Sequence, residues 1–554
     1  MLSATTLLAQ RIVNEQSPFD SDEADHANPA LELTTALQRH DFTHTISAVV
    51  RQSFYPPVHS LLVSSAYLLG GTTLAMSRGP SLVMWVASIL LFAWILWRTL
   101  RREASERSTP ITIVAISTLA FIASPVVLQH TVLCMIETTG VFLILLMTAV
   151  LSTRDDRMSY RRLGLVALLA SMVFLTKYSF ALTAIPALIG AIVLGRSGRQ
   201  PPASSVRQAG FVIAVLSVVI VSWLAVIDRA SFVYFLTGHP SYAPLLSASN
   251  LFYDVCAWFT VYTTSYASSA VILLLATLAA WRRRDLVIVR FSALHVVGIF
   301  ALLLVSTTNE ERYSMNAFPS MLLLAGIGLA ELIRMFSTRP TDVTVNSAPS
   351  ARRFSCPPTG SLLVILFLLI VGMSDDVTRF SSIVGRAFEG SRGDRHLVDF
   401  IVRHTDGHQP VLVVGASDVL GIEALRWEIA TLNRLAYTEV RVDPFPTGIA
   451  QSHRTRLRRR NLDRASVDSA FPSEPARAIL NQRYYGYAIA IEEIDPRKPA
   501  KPAMIEFKEA TSGLQRDIAE RGRRRVTVYR LGSAPTTSDV GDADVSDPGA
   551  RGGR

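Results

Sequence analysis

The sequence predicts an α-helical polytopic membrane protein of about ten spanning helices with a C-terminal α/β domain. Three observations carry that prediction. Half of the 554 residues are hydrophobic and only 18% are charged, too little charge to cover a soluble chain of this length. Apolar runs near 20 residues, enough to cross roughly 30 Å of hydrocarbon, recur from about residue 80 to 375. Arginines crowd alternate junctions between those runs, as the positive-inside bias requires.

The spans are expected near 80–99, 109–127, 131–151, 162–176, 179–195, 208–227, 264–281, 286–305, 313–334 and 359–374. One set of loops carries Arg98, Arg101, Arg102 and Arg107, then Arg154, Arg157, Arg161 and Arg162, then Arg196, Arg199 and Arg207. It continues with Arg282 to Arg284 and Arg290, then Arg334, Arg339, Arg352 and Arg353. The intervening loops hold little that is basic beyond Lys177, Arg229 and Arg312. The first set is assigned to the cytoplasm and the second to the outside of a plasma (inner) membrane. The formal net charge of +10 is thus accounted for by membrane topology, and a nucleic-acid partner is not indicated. Three cysteines, Cys134, Cys256 and Cys356, imply no disulfide framework.

Four regions follow from this threading: an N-terminal segment 1–79, a transmembrane domain 80–374, an extracytoplasmic α/β domain 375–531 and a polar tail 532–554. Met1 to Val13 is apolar but lacks a cleavage site; it reads as the stub of a spanning helix or as a surface helix. Tyr55 to Met76 is apolar, opens on Pro56-Pro57 and is broken by Gly70-Gly71. It is expected to lie at the outer interface, because crossing would carry the acidic segment before it into the cytoplasm. In the C-terminal domain, strands are expected at Gln409–Gly415, Tyr485–Ile491 and Val526–Leu531. The basic run Arg454 to Arg464 reads as a solvated helix face or a contact for lipid headgroups.

Candidate chemistry falls in four places. Asp20, Asp22, Glu23, Asp25 and His26 bring four carboxylates and a histidine into seven residues. Adjacent carboxylates repel, which raises the pKa of one and suits it to base catalysis; a solvated loop capping a helix near Pro29 is the other reading. Glu137 lies at the outer end of the third span, where an ionisable group is costly and marks a functional site unless it reaches interfacial water. Lys177 sits alone at an outward turn, and Arg312-Tyr313 heads the span containing Pro319. Cations on that side run against the charge bias, and a phosphate at the outer headgroup level explains both; ordinary lipid anchoring is the alternative.

In order, spacing and shared sidedness over some 300 residues, these motifs resemble the GT-C class of polytopic, polyprenyl-phosphate-dependent glycosyltransferases. The likeness is to the branch of aminoarabinose transferases, protein mannosyltransferases and rhizobial-type lipopolysaccharide-core transferases. The segment Asp22-Glu23-Ala24-Asp25-His26-Ala27 is similar to that family's Asp-Glu-x-x-Tyr-Ala, with His26 in place of the usual tyrosine. Tyr55-Pro56-Pro57 through Gly70, then Arg78, Glu137, Thr176-Lys177 and Arg312-Tyr313 follow in the family's order. The family's first transmembrane helix is absent or reduced to residues 1–13.

The resemblance implies transfer of a sugar, with inversion, from a polyprenyl-phosphate donor to a glycan, lipid or protein acceptor outside the cytoplasm. It implies Asp22 as general base, Glu23 as its or the acceptor's orienter, and Glu137 with His26 at the acceptor. Lys177, Arg312, Arg78 and Tyr313 would meet the donor phosphate. Carboxylates suit either a base or a cation, so a divalent cation stays open as a cofactor. A transporter or flippase, or a non-catalytic binder of lipid-linked saccharides, is the alternative class. Transporters show internal repeats and midplane polar sites, and neither is evident here. The sugar and acceptor are not named by the sequence; aromatics in 228–260 such as Tyr234, Tyr242 and Trp258 suit sugar stacking or an interfacial belt.

Overall fold

The computed structural model describes residues 2–15, 19, 21–101, 108–152, 158–194, 202–227, 266–305, 311–337, 392–405, 411–414, 422–432, 442–444, 487–493, 516–521 and 524–531. The expected span 359–374, the 228–260 aromatics, the Arg454–Arg464 run and the tail 532–554 lie outside them. The chain forms two compact units: residues 1–16 with 25–390, and residues 17–24 with 391–554.

The first unit is helical, because in hydrocarbon each backbone N–H and C=O must be satisfied within its own segment. It begins with α1 (Leu2–Asn14), α2 (Ser21–Gln38, whose first turn falls in the other unit), α3 (Phe42–Val50) and α4 (Val58–Gly70). Then come α5 (Leu74–Arg101), α6 (Ser108–Ala123), α7 (Pro125–Thr131), α8 (Ile136–Leu151), α9 (Tyr160–Phe174), α10 (Tyr178–Val193) and α11 (Pro202–Val226). After these follow α12 (Tyr266–Arg282), α13 (Val287–Val305), a single 3₁₀ turn (Glu311–Ser314) and α14 (Ala317–Ser337). Four of the described helices are long and apolar enough to cross a membrane, and α6 with α7 makes a fifth as one broken span. α8 and α10 are apolar but shorter. The protein is a multi-pass membrane protein.

Several boundaries differ from the sequence expectation for identifiable reasons. α6 and α7 meet at a 61° bend. Pro125 opens α7, and Ser124 before it is extended, as a residue preceding proline prefers. The expected 131–151 span therefore starts only at Ile136, which puts Glu137 in the first turn of α8. α5 starts before the expected position 80, so Arg78 stands on the helix itself. The acid pair Asp22-Glu23 is likewise in the first turn of α2 rather than in a loop, and Pro29 lies inside that helix. Carboxylates favour a helix N-terminus, where unpaired N–H groups and the helix dipole attract them. α1 is no frayed surface helix: Leu8 and Ile12 are buried in the same core as Trp85 and Ile89.

Side-chain bonds at the helix ends show how the loops sort. Arg162, at the start of α9, donates to the Val150 carbonyl at the end of α8 at 3.1 Å. Arg290, at the start of α13, donates to the Ala191 carbonyl at the end of α10 at 3.1 Å. Glu331 accepts from both Arg283, after α12, and Arg334, near the end of α14, at 3.0 and 2.7 Å. These arginines belong to the loop set assigned to the cytoplasm. Glu137 and Lys177 stand at the opposite ends of α8 and α10. Arg98 over Trp94, Arg101 over Trp97 and Arg282 over Trp281, at 5.0, 5.9 and 4.9 Å, add aromatic anchors at the arginine-rich end.

The placement of α4 follows from its two ends. Its first residue, Val58, donates to the Leu175 carbonyl at 3.1 Å, just before Lys177. Its last leads through Gly71, at φ 83°, into α5, where Ser81 bonds both the N–H and C=O of Met135, two residues before Glu137. Both ends of α4 lie at the Glu137 end of the bundle. Its 13 residues rise only about 20 Å at 1.5 Å each, short of a bilayer core.

In the second unit, β1 (Val411–Val414), β2 (Val442–Pro444), β3 (Tyr487–Glu493), β4 (Arg516–Arg521) and β5 (Arg524–Arg530) form one sheet in the order β2-β1-β3-β5-β4. β1 pairs in parallel with β2 and β3, whereas β5 pairs antiparallel with β3 and β4. The central strand β3 is buried from Tyr487 to Ile491, which is why it reads as an unbroken apolar run. Helices α15 (Arg392–Arg403) and α16 (Ile422–Leu432) complete the α/β unit, with Leu397, Val398 and Ile401 on the buried stripe of α15.

Close packing in the first unit depends on small residues, as membrane helices require. A Cβ at Gly328 of α14 would fall 1.9 Å from the Leu275 carbonyl oxygen of α12. Gly164 of α9 faces open space. Gly328→Ala should therefore destabilise the detergent-solubilised protein by about 1–3 kcal/mol, the usual cost of overpacking. Gly164→Ala should not lower the thermal midpoint, and a fall in both variants would contradict the packing read here.

Candidate active site

Glu137 and Lys177 enter the site from two helix starts. Glu137 is in the first turn of α8, where the helix dipole favours a carboxylate. Lys177 precedes α10 in extended conformation (φ −153°, ψ 120°), at a helix N-terminus that by itself repels a cation. The ion pair offsets that repulsion: Lys177 Nζ donates to Glu137 Oε1 at 2.5 Å. Both side chains are buried, 5% and 1% exposed. Gly140, one turn after Glu137, leaves room beside the pair for the Phe180 ring of α10. A Cβ there would come within 2.2 Å of the Phe180 ring.

Two aromatic faces flank the ammonium. Lys177 Nζ lies 4.9 Å from the centroid of Tyr313 and 5.3 Å from that of Phe180. The Arg312 guanidinium stands 5.7 Å from the same Tyr313 ring. Tyr313 thus lies near both cations, which its negative ring face attracts. Electrostatic interactions also join Glu137 to Arg312 and to His130. His130 is fixed through Nδ1 to the Val126 carbonyl at 2.8 Å. Glu137 Oε2 is buried and has no hydrogen-bond partner among the described residues.

A second polar group is built against the same helix start. His59 of α4 bonds Thr139 Oγ1 of α8 through Nδ1 at 2.9 Å, and Cys134 Sγ lies 4.0 Å from its Nε2. The His26 ring packs edge-on against Tyr55 at 4.7 Å and His59 at 5.4 Å. Burial pushes the His59 imidazole down to about 3; His26 nearby lowers it further and Glu137 opposes this. His59 is therefore a neutral strut, which joins α2, α4 and α8. Arg78 is 1% exposed and lies one turn before Ser81 on α5.

Of the residues singled out in the sequence, Glu137, Lys177, Arg312 and Tyr313 come together, and His26 packs beside the first turn of α8 through His59. Asp22 and Glu23 belong to the other compact unit, where Glu23 is buried. The sequence reading missed His130, the bridging role of His59, Thr139, Phe180 and Gly140. None carries a local pattern, although a histidine seven residues before Glu137 was a detectable signal. Among the described residues, no three or more His, Cys, Asp or Glu side chains are grouped to hold a metal ion.

Removing one partner of a buried ion pair leaves an uncompensated charge and costs about 3–5 kcal/mol. Glu137→Gln and Lys177→Met should each lower the thermal midpoint strongly, and the double variant should recover most of the loss. Additive losses would show that the two groups do not depend on one another.

No family model matches the sequence, and no curated protein matches it as a relative. Solved structures do match. ArnT from Cupriavidus metallidurans in the apo state superposes with a TM-score of 0.58 at 14% identity, covering 95% of this chain and 97% of that one. The same protein bound to undecaprenyl phosphate gives 0.59 at 15% identity with the same coverage. With that overlap over nearly the full length of both chains, the chain has the fold of ArnT.

Proposed function

We propose that the chain is a membrane glycosyltransferase of the GT-C type, which moves a sugar from a polyprenyl-phosphate-linked donor to an acceptor outside the cytoplasm. Lipid A, polysaccharide and protein are the acceptor classes. The observation that carries this reading is the convergence of Glu137, Lys177, Tyr313 and Arg312, from three separate segments, in a chain with the fold of ArnT. One ArnT structure holds undecaprenyl phosphate, which supports a lipid of that kind as this chain's partner.

In the proposed reaction, Asp22 takes the proton of the acceptor hydroxyl, with Glu23 orienting that group. The acceptor oxygen attacks the anomeric carbon, and the bond from that carbon to the phosphate oxygen breaks with inversion. The polyprenyl phosphate leaves with added negative charge. Lys177 and Arg312 stabilise that charge, and the buried Arg78 adds a further cation. Tyr313 keeps both cations facing the phosphate. Glu137 has two duties: Oε1 holds Lys177, while Oε2 is open to an acceptor hydroxyl. His26 supports the acceptor side.

Loss of a general base slows such reactions about 10²–10⁴-fold. Asp22→Asn should do so for sugar transfer, measured as the envelope glycan product by mass spectrometry, without changing undecaprenyl phosphate binding. Arg312→Gln should instead weaken that binding. Full transfer by Asp22→Asn, or unaltered binding in Arg312→Gln, would overturn the corresponding assignment.

A further inference from the structure

The acid pair is held by the α/β unit. Residues 17–24, far from it in sequence, fall with residues 391–554 rather than with the membrane helices. The contact that holds them is explicit. Phe19 is fully buried and meets Trp427 of α16 edge-to-face, with ring centroids 4.7 Å apart and planes at 70°. Trp427 is 2% exposed, and Leu425, Ile429 and Ala430 on the same helix are buried with it. On the other side of the acid pair, Ala24 is fully buried as well. An apolar residue just before a helix fixes the angle at which the chain enters it. Phe19 stands two residues before the start of α2 and three before Asp22.

We propose that the α/β domain is part of the catalytic apparatus, because Trp427 grips Phe19 and so fixes the position of Asp22 and Glu23. Phe19 and Trp427 are positioning residues: neither needs to touch substrate. The cations proposed to bind phosphate, Lys177 and Arg312, belong to the first unit, with Glu137 holding Lys177 there. The grip therefore bears on turnover and not on donor binding. This proposal rests on the assignment of Asp22 as the base.

The test uses the full-length protein and three readouts: amide hydrogen exchange over residues 17–24, undecaprenyl phosphate binding, and envelope glycan product per copy of protein. Phe19→Ala and Trp427→Ala should each speed exchange in that segment. Each should lower product about 10- to 100-fold, the scale expected when a catalytic group is misplaced by about 1 Å. Undecaprenyl phosphate binding should stay within about twofold of the parent, the scale of a lost contact elsewhere. The double variant should be no worse than the poorer single one, and Trp427→Phe should restore most of the product. Phe19→Ala leaves α16 and the sheet of the α/β unit unaltered, so it keeps the test valid if Trp427→Ala fails to fold. Unchanged exchange, or unchanged product in variants whose exchange has risen, would overturn the proposal. Full product from Asp22→Asn would overturn the base assignment instead, and exchange would still report whether the grip exists.

Discussion

The buried pair between Glu137 and Lys177 ties together elements that the sequence keeps far apart. Neither charge is tolerable alone where it sits: each is almost wholly removed from water, and Lys177 faces the positive end of a helix. Their 2.5 Å contact fixes the start of α8 against the start of α10. Tyr313 and Arg312 are added from the turn before α14, and His59 clamps α4 to Thr139 on the next part of α8. The result is a concentration of positive charge partly balanced by one carboxylate. That arrangement suits an anion whose own charge grows as its bond to a sugar breaks.

The bundle was legible because its physics is local. Apolar runs and alternating arginines marked the helices, and the bonds of Arg162, Arg290 and Glu331 show those arginines gathered at the ends away from Glu137. Strands β1 and β3 were legible as short apolar runs, and β5 as the β-branched and aromatic stretch Val526 to Tyr529 between arginines. The bend at Ser124-Pro125 was legible only in part: proline marked a break, while the separate short helix after it depended on tertiary packing.

The site was legible as residue types and not as contacts. Glu137, Lys177 and Arg312 stood out because a charge at a membrane helix end is expensive. That Glu137 bonds Lys177 could not be read, because it depends on tertiary packing that seats the Phe180 ring over Gly140, and glycine carries no chemistry of its own. His59 and His130 lay inside apolar stretches and resembled packing residues. The acid pair was recognised by composition, but its membership of the α/β unit depends on a ring contact across some four hundred residues. No sequence pattern reports such a contact.

Sidedness first separated the basic loops from Lys177 and Arg312. The structure sharpens it into a bundle with one end that anchors and one end built around a buried ion pair. The most direct measurement is a structure of the protein with undecaprenyl phosphate bound. The account predicts the phosphate at the Glu137 end, with Lys177 Nζ and the Arg312 guanidinium at charge-assisted hydrogen-bond distances of about 3 Å. A phosphate bound at the arginine-rich end, or bound without either cation, would contradict it.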